Sequence, residues 1–172
     1  MIPIEYLSAV MRTKSPDTTS KTLHLGLLGE SGEVADLIKK ATAHGHTLPE
    51  DKLVKELGDV LWYAAAKLDA VCGNTVAVVM LSKCHDISVR GELEDLAVTL
   101  CSAAADLGKA KYPFETLAPS EILLSVVGEF GRRLSVPVAV SEIMAMNVDK
   151  LRKRYPDGFS TEASLKKADE VQ

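Results

Sequence analysis

Along most of the chain, apolar residues recur at intervals of three and four, the period of a helix that buries one face. No segment shows a sustained alternation of apolar and polar residues, so we predict no strands. The pattern predicts an all-α bundle of five to seven helices, in a single domain covering residues 1–172. The predicted helices span about residues 3–12, 18–41, 47–71, 92–110, 119–134 and 141–155, with a short apolar stretch at 76–82 and a charged tail after residue 160.

Two of these helix starts rest on capping and proline signals. Thr47, Pro49 and Glu50 form the pattern of a capping box, with Thr47 as the N-cap and Glu50 three residues later. Pro119 is predicted to open the helix that follows a loop at residues 112–118. These signals set the beginnings of the third and fifth predicted helices.

The apolar stripe of the second predicted helix is interrupted at one position, which a carboxylate occupies. Spacings of three and four place Glu30 in that position, and Glu33 flanks it one turn later. The third helix repeats the spacing with Glu56 and Asp59, beside an apolar stripe of its own. The stripe of the second helix consists of Leu23, Leu27, Val34, Leu37 and Ala41. We therefore expect four acids to converge between the two helices.

Converging carboxylates are strongly unfavourable unless they pair, bind a metal or take up protons. A hard divalent cation satisfies them, and Mg²⁺ prefers oxygen ligands completed by water and substrate phosphates. The sequence has no Glu-x-x-His motif, which disfavours a di-iron carboxylate bundle. The alternative is that both acidic pairs are solvated helix faces, but the position of Glu30 in an apolar stripe argues against it. We predict a magnesium site formed by Glu30, Glu33, Glu56 and Asp59.

Composition and charge exclude several classes of function. The formal net charge of −4 indicates neither a general nucleic-acid surface nor a membrane surface. Cys72, Cys84 and Cys101 form no paired motif and are expected to be reduced core thiols of a cytoplasmic protein. The first residues lack a basic region before an apolar one, and no apolar run is long enough for a membrane span, so neither a signal peptide nor an anchor is expected.

The later part of the chain suggests an internal pseudo-duplication. Residues 56–78 align without gaps to 118–140, and 35–39 align to 105–109. Identities are few, and helices rich in Leu, Val and Ala also produce such matches by chance. Under the duplication, residues 1–85 form the metal-binding half. Residues 92–158 form a degenerate second half.

That alignment removes most of the acids from the second half. Leucine or alanine replaces three of them: Leu100 aligns with Glu30, Ala103 with Glu33 and Ala118 with Glu56. Only Asp59 keeps an acidic counterpart, Glu121. The second half is expected to contribute instead the helix that carries Asn147 and Lys150.

The stretch GLLGESGEVADLIKKATAHGHTLPEDKLVKELGDVLWYAAAKLDA resembles the signature region of the MazG-like all-α nucleoside triphosphate pyrophosphohydrolases. Its Glu-x-x-Glu is followed one helix later by Glu-x-x-Asp. The opening Tyr6 with Met11-Arg12-Thr13, and the late NVDKLRKRYPDGF, are similar to the ends of that family. Compact members pass almost directly from the Asp59 helix to the Asn147 helix, whereas here the suspected second half intervenes.

The resemblance implies hydrolysis of a nucleoside or deoxynucleoside triphosphate between its α- and β-phosphates, releasing a nucleoside monophosphate and pyrophosphate. It implies Mg²⁺ as the cofactor, with Mn²⁺ as a substitute. Glu33 or Glu56 would orient or deprotonate the attacking water. Asn147, Lys150 and Arg154, which share one helix face, would contact sugar or phosphates, although a basic helix end also suits the helix dipole.

Two further candidates have equally plain structural explanations. Tyr63, four residues after Asp59, would stack on the base or pack as a core tyrosine. Lys40 would contact a phosphate or stabilise the end of the second helix.

Several functions share this chemistry. Phosphoribosyl-ATP pyrophosphohydrolase and a dUTP- or dCTP-specific pyrophosphatase are alternatives with the same fold, and a non-catalytic helical dimer that binds a nucleotide or a partner is one from another class. Retention of all four acids favours an enzyme. The resemblance implies a homodimer or tetramer, of which we expect the homodimer, and a role in housekeeping of the nucleotide pool. From the charge we expect neither nucleic acid nor membrane as a partner.

Overall fold

In the computed structural model, which describes residues 1–83 and 89–170, the chain is all-α, as predicted. Within those ranges there are eight helices and no strand. The helices are α1 (Pro3–Thr13), α2 (Ser20–His44), α3 (Glu50–Cys72), α4 (Asn74–Ser82), α5 (Leu93–Lys109), α6 (Pro113–Arg133), α7 (Val140–Arg154) and α8 (Thr161–Glu170). The count exceeds the predicted range because the short apolar stretch and the charged tail both form full helices.

Two helical hairpins, α2–α3 and α5–α6, form the centre of the fold. Among the described helices, the most extensive packing joins α2 to α5, and α3 contacts both α5 and α6. The remaining helices α1, α4 and α7 pack against α3. The leucine stripes predicted from the sequence meet inside, where Leu27, Leu57, Leu61, Leu100 and Leu123 are fully buried. Since α3 contacts six other helices, side chains on different faces of α3 can contact residues from several helices.

The predicted capping box at Thr47 is wrong. Helix α3 begins at Glu50, and its N-cap is Pro49, which has no side-chain capping hydrogen bond. The Glu50 carboxylate instead accepts hydrogen bonds from the backbone N–H of Ser135 at 3.0 Å and from its hydroxyl at 2.8 Å. A contact between segments far apart in sequence has therefore replaced the local one.

The predicted loop at residues 112–118 is also wrong. Helix α6 begins at Pro113, and the Glu115 carboxylate accepts from the backbone N–H groups of Lys111 and Tyr112 at 2.7 and 3.1 Å. A proline fits the first helical position because its missing N–H would have no partner there. Pro119 lies inside the helix instead, where it removes one internal hydrogen bond.

Cys72 and Cys101 are half-buried free thiols, and Cys72 Sγ lies 3.2 Å from Thr116 Oγ1. The third predicted core thiol, Cys84, lies outside the described residues. Among the described residues, no helix combines the length and the apolarity that crossing a membrane requires.

Candidate metal centre

A glycine lets α2 approach α3 closely at the start of the site. A methyl group at Gly26 would lie only 2.1 Å from Cε1 of Tyr63, so the tyrosine ring occupies the space that a side chain would fill. Glu30 follows Gly26 by one helical turn, and Asp59 precedes Tyr63 by one turn. The contact therefore brings the two carboxylates to the same level of the antiparallel hairpin.

Three of the four predicted acids converge. Glu30, Glu56 and Asp59, called here the carboxylate cluster, each place an oxygen within 4.8 Å of the others, and all three are half-buried. Glu33 is exposed, one turn along α2. Its charge acts on the cluster, since it raises the pKa values of Glu30 and Glu56. Glu33 therefore lies at the rim of the cluster.

Burial and mutual repulsion make the cluster costly to ionise. Burial first, then the charges of Asp59, Glu33 and Glu56, raises the pKa of Glu30 to about 7. The pKa of Glu56 is raised by burial and by Glu33 and Asp59. A divalent cation would relieve this repulsion, and a donor set made only of carboxylate oxygens fits a hard ion such as Mg²⁺.

Helix α7 supplies two polar partners to Asp59. Asn147 Nδ2 donates to Asp59 Oδ1 at 2.9 Å, and Lys150 Nζ donates to both carboxylate oxygens. Gly58 makes this approach possible, because a methyl group there would lie 3.0 Å from Cβ of Asn147. Asn147 and Lys150, two of the candidate substrate-binding residues, thus lie beside the cluster.

A groove of about 1110 Å³ opens beside the cluster, between α3, α7, the turn that follows α7, and α8. Asn147 and Lys150 line it and also bond to Asp59, so these two residues connect the groove to the cluster. Tyr155 and Phe159 add two rings with centroids 5.7 Å apart, and the Arg154 guanidinium lies 5.0 Å from the centre of the Tyr155 ring. The basic residues along the groove are Lys55, Lys150, Lys153, Arg154 and Lys166.

Sequence reasoning overlooked several of these groove residues. Tyr155 and Phe159 lie within the motif that resembles the family, so the motif itself was the available signal. Lys55 directly precedes Glu56 and looks like an ordinary exposed lysine. Lys166 belongs to the charged tail after residue 160, and no local pattern marks it.

The beginning and the end of the chain meet at this groove. Arg12 Nη1 donates to the carbonyl oxygens of Tyr155 and Pro156 at 2.9 and 3.1 Å. The Phe159 N–H donates to the Arg12 carbonyl oxygen at 3.2 Å. The two terminal motifs noted in the sequence are therefore one structural unit, in which α1 holds the turn that carries the two aromatic rings.

The remaining candidates lie in different surroundings. Tyr63 is half-buried against Gly26, and its pKa is raised by burial and by the charges of Glu30 and Asp59. Lys40 is exposed and its Nζ lies 2.6 Å from Asp36 Oδ2. Ten residues of helix, about 15 Å, separate it from Glu30. Tyr63 therefore borders the cluster, whereas Lys40 lies apart from it.

Comparisons with known proteins bear on the part of the chain that carries the cluster. Residues 18–72 match the family model described as the MazG nucleotide pyrophosphohydrolase domain. No curated protein and no solved structure matches the chain. The matched residues include all four predicted acids, so the similarity to the MazG nucleotide pyrophosphohydrolase domain covers the helices that carry the cluster.

Proposed function

We propose that this protein is a cytoplasmic, Mg²⁺-dependent pyrophosphohydrolase that converts nucleoside or deoxynucleoside triphosphates to the monophosphate and pyrophosphate. The observation that carries the proposal is the carboxylate cluster, with oxygens within 4.8 Å of one another, which Asn147 and Lys150 connect to a groove lined by five basic and three acidic residues. The match to the MazG domain supports pyrophosphohydrolase chemistry. Removal of unwanted nucleotides from the pool is the role we propose for it.

Glu30, Glu56 and Asp59 are the residues that would hold the cation, with Glu33 as a further ligand from the rim. When bound, Mg²⁺ or Mn²⁺ would neutralise phosphate charge and lower the pKa of a bound water. The raised pKa values of Glu30 and Glu56 mean that the protein alone stabilises their ionised forms poorly. A cation that favours those forms would compete with protons for the same site.

Glu33 is our choice for the residue that orients or deprotonates the attacking water. Its carboxylate is exposed, so water reaches it, and it lies one turn from Glu30 without belonging to the converging three. Glu56, the other candidate, has its oxygen inside the cluster and fits the role of ligand better. The water would attack the α-phosphorus, and the bond to the bridging oxygen would break with pyrophosphate leaving.

The groove supplies the groups that a triphosphate needs. Lys150 contacts Asp59 and also lines the groove, so its ammonium can neutralise phosphate charge next to the cluster. Arg154 would do the same one turn later. Phe159, half-exposed beside the buried Tyr155, provides a flat surface for the base. Asn147 has both ends of its amide engaged, so we assign it to the support of Asp59.

The test is a panel of ribonucleoside and deoxyribonucleoside triphosphates, together with phosphoribosyl-ATP, assayed with Mg²⁺ and with Mn²⁺. We expect a monophosphate and pyrophosphate in equal amounts, with ¹⁸O from labelled water in the monophosphate. Glu33→Gln should abolish turnover while binding of the metal persists. Absence of turnover on the whole panel would contradict the proposal, and turnover of phosphoribosyl-ATP alone would favour the alternative substrate.

We propose that the protein acts as a homodimer. Leu25 and Leu28 are exposed on α2, and Gly29 and Gly32 leave open space on the same helix, adjacent to Glu33. A second subunit covering this face would remove exposed leucine from water. Light scattering coupled to size exclusion tests this directly, and a monomer at micromolar concentration would contradict it.

A further inference from the structure

Tyr6 is a fully buried residue of α1 that reaches a partner of the carboxylate cluster, Asn147. Its hydroxyl donates to Asn147 Oδ1 at 3.3 Å and lies 3.5 Å from the carbonyl oxygen of Gly58. Asn147 in turn donates to Asp59 at 2.9 Å. The three side chains thus form a chain of hydrogen bonds from α1 through α7 to α3.

The polarity of this chain follows from the chemistry of its two ends. An ionised carboxylate only accepts hydrogen bonds, so Asp59 requires the Nδ2 end of the Asn147 amide. The Oδ1 end then points away from Asp59 into a buried region, since Asn147 is only 4% exposed. A buried amide oxygen needs a donor, and the Tyr6 hydroxyl supplies it. Without that donor, the amide oxygen would be buried without a partner, and turning or shifting toward water would lower the free energy of the amide.

We propose that Tyr6 is a positioning residue for cation binding: by holding the amide of Asn147, it holds Asp59 in the orientation that the cluster requires. The inference rests on the proposed function, because it assigns the orientation of Asp59 to metal binding. Partners behind the ligands of a metal commonly set its affinity in this way. Gly58 contributes by admitting Asn147 into close contact with α3.

Another hydrogen bond of α1 provides a matched control. Thr13, also on α1 and also buried, accepts from Trp62 Nε1 of α3 at 3.0 Å. Like the contact of Tyr6 with Gly58, this bond joins α1 to α3, but within the described residues neither the Thr13 hydroxyl nor the Trp62 indole N–H bonds to Asn147 or Asp59. Loss of either bond should lower stability, whereas only loss of the Tyr6 hydroxyl should change the metal site.

The experiment compares wild type, Tyr6→Phe and Thr13→Val in calorimetric titrations with Mn²⁺. We expect Tyr6→Phe to bind Mn²⁺ about tenfold more weakly and to need correspondingly more Mg²⁺ for half-maximal activity, with kcat restored at saturating metal. Thr13→Val should keep the wild-type affinity even if its melting temperature falls. Unchanged affinity in Tyr6→Phe, or equal losses in both variants, would overturn the positioning role.

A second measurement needs no metal. The side-chain amide protons of Asn147, observed by ¹⁵N NMR, should exchange slowly in wild type and in Thr13→Val, and faster in Tyr6→Phe. Equal exchange in all three proteins would overturn the inference. A wild type that binds Mn²⁺ but hydrolyses no substrate would overturn the proposed enzyme and leave the role of Tyr6 standing, whereas a wild type that binds no Mn²⁺ would overturn both.

Discussion

The two central hairpins have the same architecture and different chemistry. Between α2 and α3, half-buried Glu30, Glu56 and Asp59 converge. In the second hairpin, the residue aligned with Glu30 is Leu100, which is fully buried. Such a hairpin therefore packs with an apolar residue at the position of Glu30. Burial and the neighbouring acids of the first hairpin raise the pKa values of Glu30 and Glu56, so these carboxylates oppose packing, and a ligand would explain their presence.

The comparison also limits the proposed duplication. Leu61 of α3 and its aligned partner Leu123 of α6 are both fully buried, which supports a common origin for the hairpins. The aligned Val-Ala-Val triplets differ, because residues 76–78 lie inside α4 whereas 138–140 lead into the first residue of α7. We therefore restrict the duplication to the two hairpins and propose one metal-binding half and one degenerate half on that basis.

The largest expected effect is on turnover, and it tests whether only the first hairpin carries acids that the reaction needs. Asp59→Asn should lower turnover at least about 100-fold, because it removes a charged oxygen ligand. The matched control is Glu121→Gln, the aligned acid on α6, which should leave turnover unchanged. Steady-state kinetics with purified protein provides the measurement. A comparable loss in the control variant would show that both hairpins carry catalytic acids.

The next effect concerns the close approach of α2 to its neighbours on both sides. Gly26→Ala should destabilise the protein by about 1–3 kcal/mol, since the new methyl group overlaps the ring of Tyr63. Gly108→Ala should do the same, because its methyl group would lie 2.1 Å from the His24 ring. Gly32→Ala meets no atom of its own chain and should stabilise α2 by about 0.5–1 kcal/mol when measured on the monomer, below the concentration at which the proposed dimer forms.

Urea unfolding of these three variants ranks the two contacts of α2. Similar stabilities for Gly26→Ala and Gly32→Ala would mean that α2 and α3 are not held in close contact at Tyr63. If only Gly108→Ala is destabilised, the α2–α5 contact is the tighter one.

A smaller effect is the dependence of stability on pH. The pKa of Glu30 is raised from 4.5 to about 7, so the folded protein holds this proton more tightly than the unfolded chain does. Its contribution to stability is complete below about pH 4.5 and is lost as pH rises through 7. The metal-free melting temperature should therefore fall between pH 5 and 8 in wild type and less steeply in Glu30→Gln.

The control for this dependence is again Glu121→Gln, which should keep the wild-type slope. Addition of Mg²⁺ should reduce the slope in wild type, because the cation replaces the proton as the partner of the carboxylates. Parallel curves for wild type and Glu30→Gln would mean that Glu30 titrates as an exposed acid.

The smallest expected effect separates a surface ion pair from the site. Lys40→Ala should change stability by less than about 0.5 kcal/mol and leave KM unchanged, because its exposed pair with Asp36 lies far from the cluster. Lys150→Ala should raise KM, since that lysine joins the cluster to the groove. A raised KM in Lys40→Ala would support the phosphate contact expected from the sequence.

Much of the site was predictable because the acids on each helix are three residues apart, and helical geometry places residues at that spacing on the same face. The place of Glu30 in an apolar stripe required a buried acid, and that acid is half-buried in the structure. The two wrongly predicted helix starts, at Thr47 and Pro119, lie where hydrogen bonds other than the expected capping contacts form. Glu50 bonds to Ser135 rather than to its own helix start, and Glu115 caps a helix that begins at Pro113 rather than Pro119.

By itself, the sequence determined the all-α fold, the leucine stripes and the identity of the four acids, because these depend on residues three and four apart. Only the tertiary structure decided that Glu33 stays at the rim, that Tyr6 supports Asn147, and that Arg12 holds the turn after α7. These relations join residues from distant parts of the chain. They depend on how closely the helices approach one another, at Gly26 and Gly58 above all, and no short-range pattern encodes that distance.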